Sequence, residues 1–201
     1  LIAGMPAWML RALLAPPAVR RVFRFFTRPL IALIVFNGVL LFTHWPEVVE
    51  ASVGSEPIHL ALHALIVASA LVMWWPVMSP LPEMPALAPP GQMIYLFLQS
   101  VVPTVPAAWL TFAEGAVYRP YGEQPLRVWG LTVTEDQQLA GAIMKTGGSI
   151  FLWTIIVILW FKRFSANYRH EHDYRRKPTE VLTFDDVERE LTDGSFVFVA
   201  S

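Results

Sequence analysis

The sequence predicts an all-α protein: a polytopic transmembrane bundle of about four spans preceded by an amphipathic segment. Three observations carry that expectation. The 201 residues are 55% hydrophobic and 15% charged, whereas soluble domains carry about 25% charged residues. Mean hydropathy is +0.47. Apolar runs near the ~20 residues needed to cross a bilayer recur along the chain, bounded by prolines, acids and tryptophans.

Composition also excludes. A net charge of -1 argues against a nucleic-acid partner. With no cysteine, disulfides, iron–sulfur clusters and thiolate copper sites are ruled out. A metal would have to be held by His, Met, Asp or Glu. The opening Leu1-Ile2-Ala3-Gly4-Met5-Pro6 reads as the exit from a helix, so more chain is expected before it.

Residues 1–28 are read as an interfacial segment. Arg11, Arg20, Arg21, Arg24 and Arg28 interleave with Trp8, Leu10, Phe23, Phe25 and Phe26, and Pro16-Pro17 divides the stretch. That pattern suits membrane lipids at an anionic surface; an ordinary cytoplasmic loop gives the same topology. Residues 29–162 form the membrane domain.

The first span is expected over 29–45, stopping at Trp45-Pro46, with Asn37, Leu41 and His44 on one stripe. Residues 47–56 read as an acidic loop. The second span covers 57–77, with Pro57 at an early helical position. A proline-rich connector from Ser79 to Gly91 leads to the third span, 92–113, where Pro103 and Pro106 predict a kink near the middle. Residues 115–135, with Tyr118, Tyr121 and Trp129, suit a lid on the interface.

The fourth span is expected over 136–161, capped by Thr134 with Glu135 and Asp136 in the first turn. Its stripe of Gln137, Gly141, Met144 and Gly148 allows close helix contact, and Lys145 is expected to snorkel outward. Residues 163–201 read as a cytoplasmic tail, with a short amphipathic helix from Thr183 to Asp193.

Lysine and arginine set the orientation. Five arginines precede the first span and six basic residues lie from Lys162 to Lys177, whereas the loop before the second span has none. Both ends are therefore expected in the cytoplasm. This gathers His44, His59, His63, Glu114, Asp136, Gln137 and Met144 toward the outer leaflet. His59 and His63, four residues apart, share a helix face. Imidazole with thioether suits copper, and imidazole with carboxylate suits zinc. The bland alternative is that the imidazoles only hydrogen-bond their neighbours. No hydrolase, nucleotide or metalloprotease motif occurs, so no enzyme is expected.

Several ordered blocks then carry a resemblance. Arg28-Pro29-Leu30 leads to Phe36-Asn37 and Thr43-His44-Trp45-Pro46. His59 and His63 lead to Trp74-Trp75-Pro76. Tyr95-Leu96-Phe97-Leu98, Leu110-Thr111-Phe112-Ala113 and Glu135-Asp136-Gln137-Gln138-Leu139-Ala140-Gly141 with Met144 follow. Over residues 1–165 the set resembles the multi-span CtaG-type cytochrome c oxidase assembly factors.

The resemblance implies an assembly factor of the bacterial cytoplasmic membrane that helps a haem–copper oxidase mature through copper supply, with other membrane subunits as partners. It implies His44, His59, His63, Met144 and Asp136, with Gln137 beside them, as the metal-facing set. It also implies further spans before Leu1. A structural accessory subunit of a respiratory or photosynthetic complex, keeping the fold without the metal, stays open beside it.

Overall fold

Proline decides where most of the helices begin. At the first helical turn it surrenders an N–H that has no intrahelical acceptor, and its fixed φ suits the helix. The computed structural model describes residue 4, residues 6–123 and 128–176, and residues 184, 188 and 192. Six of its helices carry proline at the first or second position. These are α2 (Pro17–Phe26), α3 (Pro29–Thr43), α4 (Pro46–Gly54), α5 (Glu56–Met78), α6 (Pro89–Val101) and α8 (Arg119–Gly122), which follow α1 (Ala7–Leu13). Between α6 and α8 lies α7 (Thr104–Phe112), and α9 (Val133–Arg176) is last. Among the described residues there is no strand, so the fold is all-helical.

Three helical segments are long and apolar enough to cross a membrane: α5, the α6–α7 segment Pro89–Phe112, and α9 over Val133–Arg169. A fourth candidate is the bent pair α2 and α3, which meet at 76°. The expected first span is thus shorter than its apolar run. Helix α3 has 15 residues because Pro29 starts it and the Trp45-Pro46 boundary ends it. The expected acidic loop is also corrected. Pro46 at the first position and Glu47 beside the helix N-terminus make it helix α4.

The third span breaks where its prolines predict. Pro103 and Pro106 have no N–H, and Val105 N turns back to Val102 O at 3.1 Å instead of continuing the regular ladder. Helix α9 begins earlier than expected. Its cap is Thr132, whose Oγ1 accepts from Glu135 N at 3.2 Å while Thr132 N donates to Glu135 Oε2 at 2.8 Å. This reciprocal pair outcompetes the Thr134 cap. At its other end α9 runs on to Arg176, into the expected tail. The helix expected over 183–193 falls almost entirely outside the described residues.

The chain divides into compact units at Phe161. In the first, α3 lies along α5 and also meets α6 and α4. One apolar cluster joins Met73, Tyr95, Leu96 and Leu152, with Leu33 and Phe36 against it. A second joins Leu10, Leu14, Trp75 and Leu81, with Phe23 against it. The N-terminal segment is therefore tied to the end of α5 and is more than a lipid-facing ribbon. The connector folds back to the same end, with Leu87 N donating to Pro76 O at 2.7 Å. Ile143, Ile150, Phe151 and Trp153 on α9 are exposed, as side chains in contact with lipid are.

Candidate functional site

The short helix α4 brings the imidazole-bearing ends of α3 and α5 into one region, since it packs on both. His44 closes α3 with its Nδ1 2.8 Å from Leu40 O. A carbonyl only accepts, so Nδ1 carries the proton and Nε2 is the available nitrogen. Tyr118 OH donates to His44 O at 3.1 Å, fastening the 114–118 loop to that end of α3. Burial, and then neighbouring Tyr121, push the Tyr118 phenol up from its ordinary range, so it stays a donor.

His59 sits in the first turn of α5, its Nδ1 3.1 Å from Ser52 Oγ on α4. His63 lies one turn further on, and the two ring centroids are 4.5 Å apart. Both are exposed. Helical spacing places the rings together, and Ser52 sets the orientation of the first. Ser52 was absent from the sequence-based set because only the helical fold of 46–54 brings it near.

Met144 and Asp136 lie on α9. They are eight residues apart, roughly 12 Å along the helix axis. Asp136 is exposed and lines a cavity of about 260 Å³ with Leu110, Tyr118, Tyr121 and Gln137. Met144 is half-buried. Gln137 has a structural employment that spacing did not reveal. Its amide donates to Leu110 O at 3.3 Å and Gly115 O at 3.2 Å and accepts from Val117 N at 2.7 Å. It clasps the end of α7 and the loop after it to α9.

Among the described residues no group of three or more His, Asp or Glu side chains could hold a metal ion. The structure brings His59 and His63 together, and that supplies two nitrogen donors. A closed zinc site takes four ligands and a catalytic one takes three. Of the five residues the structure thus pairs His59 with His63, and neither His44 nor Asp136 joins them in a group of three such donors among the described residues.

Lys145 does not snorkel. Its Nζ donates to Ser100 O at 3.2 Å and to Thr104 Oγ1 at 2.5 Å, reaching into the break between α6 and α7. The end of α6 leaves carbonyls without intrahelical donors, and the ammonium supplies one. A deeper polar connection joins Asn37, Gln99, Tyr95 and the Met73 carbonyl across α3, α6 and α5.

These features define a multi-pass helical membrane protein whose polar groups mostly hold helices and loops together. Its family is narrower than that class. The model of the cytochrome c oxidase caa3 assembly factor family matches residues 1–166, and the chain belongs to that family. No curated protein and no solved structure matches it.

Proposed function

We propose that this chain is a non-catalytic membrane assembly factor for a caa3-type cytochrome c oxidase, and that copper passes His59 and His63 as cargo. The observation that carries the first part is the family match over residues 1–166. The second rests on the two imidazoles 4.5 Å apart at the start of α5. Two donors hold an ion weakly compared with a full coordination set, and cargo has to leave. The remaining donors come from the partner that gives or receives it.

The orientation follows from the basic residues: both ends face the cytoplasm of a bacterium and α4 faces outward. The chain has no cysteine, so single cysteines placed at Ser52 and at Arg24 report the two sides by labelling with an impermeant maleimide. Labelling of both from the same side would overturn the topology.

For copper, the purified full-length chain is titrated with Cu(I) against a competing chelator. The expected result is binding that disappears in the His59→Ala, His63→Ala double variant. Unchanged stoichiometry in that variant would overturn the copper part. For assembly, a strain lacking the chain is expected to accumulate immature oxidase, and the tagged chain to co-purify with that species.

A second reading has its own support. The absence of a three-donor group among the described residues favours an accessory subunit that keeps the fold without a metal. Fixed-stoichiometry recovery with the mature complex, free of copper, would favour it.

A further inference from the structure

Helix α2 is two-faced. Arg20, Arg21 and Arg24 lie on one side and Val19, Val22, Phe23 and Phe26 on the other, with Arg28 just beyond the helix. Its 76° turn from α3 lays it close to the membrane plane when α3 stands along the normal. Phe23 is used inside the fold, edge-on to Trp75 at 4.7 Å. Val19, Val22 and Phe26 remain exposed.

The arginines are not equivalent. Arg20 donates to Leu14 O and Ala15 O, both at 3.2 Å. Arg11 pairs with Glu83 at 2.8 Å. Arg28 lies 5.9 Å from the Phe25 ring centroid. Arg24 has no hydrogen-bond or ion-pair partner among the described residues. Yet it lines three cavities, of about 310, 400 and 250 Å³. Arg28, Thr27 and Trp75 line the largest with it. The buried indole N–H of Trp75 has no acceptor among the described residues. Glu83 lines two of the cavities, and its carboxylate is held on Arg11.

We propose that this corner binds the phosphate headgroup of an anionic phospholipid, with Arg24 as its central cation and Arg21 and Arg28 beside it. A guanidinium that has no partner among the described residues and lines a cavity is complementary to a phosphate. The exposed Val22, Phe25 and Phe26 give the acyl chains a surface, which a free anion does not use. The site is independent of copper and of the oxidase.

The purified full-length chain is equilibrated in micelles with phosphatidylglycerol or phosphatidylcholine of equal chain length, and bound lipid is counted by native mass spectrometry. Phosphatidylglycerol is expected to be retained preferentially. Arg24→Gln is expected to lower its retention about fivefold, the worth of one arginine at an anionic surface. Arg119→Gln, an equal change of charge on α8, leaves retention unchanged. Because Arg24 makes no internal bond among the described residues, the melting temperature of Arg24→Gln is expected to stay at the parent value. Equal retention of the two lipids would overturn the proposal, as would equal losses in the two variants. Displacement of the lipid by excess inorganic phosphate would overturn the lipid source.

Discussion

Asn37 Nδ2 donates to Gln99 Oε1 at 2.6 Å, and both side chains are buried. Gln99 Nε2 then donates to Tyr95 OH at 3.0 Å, and Tyr95 OH donates to Met73 O at 2.8 Å. Donors thus run in one direction from α3 through α6 to a backbone carbonyl of α5. Hydrocarbon offers no replacement partner, so each member depends on the next. Asn37 Oδ1 has no partner among the described residues.

Gln99→Leu should therefore cost more than Asn37→Leu. The first leaves a donor of Asn37 without the Gln99 oxygen and the Tyr95 hydroxyl without the Gln99 amide donor, whereas the second also removes an unpaired oxygen. The expected coupling in a double-mutant cycle is about 0.6–1.7 kcal/mol, the range found for such pairs in membranes. Unfolding in mixed micelles measures it, and purely additive losses would contradict the connection.

Gly141 and Gly148 should behave in opposite ways. A Cβ at Gly141 would lie 2.6 Å from Thr111 Oγ1 and 2.8 Å from Ala107 O, and the carbonyl cannot step aside. Gly141→Ala is expected to destabilise by about 1–3 kcal/mol through overpacking. Nothing lies within 4 Å of a Cβ at Gly148. Gly148→Ala is expected to be neutral or to stabilise by up to about 1 kcal/mol through helix propensity. Thermal aggregation midpoints in detergent order the two.

Lys145→Met should loosen the break between α6 and α7. It removes the donor to Ser100 O and Thr104 Oγ1, with an expected loss of about 1–3 kcal/mol for the groups left unpaired. Hydrogen exchange of residues 99–105 should quicken, while residues 60–70 of α5 keep the parent rates.

The Arg11–Glu83 bridge should open in acid. The backbone N–H of Glu83 first, and Arg11 after it, hold the carboxyl below its ordinary value of 4.5. A lowered folded value means the contribution is fully present above pH 4.5 and fades as pH falls through the folded value. Proteolysis near α1 should rise over that acid range in the parent chain. In Glu83→Gln it should be high and independent of pH across the same range.

The helical class, the membrane character and the break at Pro103 were legible because apolar run length and proline act locally. Helix α4 was missed: the acids of 47–56 suggested a loop, although Pro46 and Glu47 are also good helix openers. Thr132 was overlooked in favour of Thr134, where the reciprocal Thr132–Glu135 spacing was the available signal. The pairing of His59 with His63 followed from four-residue spacing. Distances between helices do not follow from spacing, so the destination of Lys145 and the backbone bonds of Gln137 needed the fold. The same is true of Ser52 beside His59.

The 15 residues of α3 rise only ~22 Å, against a hydrocarbon thickness of ~30 Å. Pro29 blocks growth at one end and the Trp45-Pro46 corner at the other, so the helix cannot lengthen to fit. Where α3 crosses, adaptation falls to the lipid. The two leaflets must draw together around it, making a local dimple of fractional kcal/mol per Å of mismatch. A neighbour with an equally short span would relieve that deformation by settling beside α3, an attraction exerted through the bilayer with no side chain in contact.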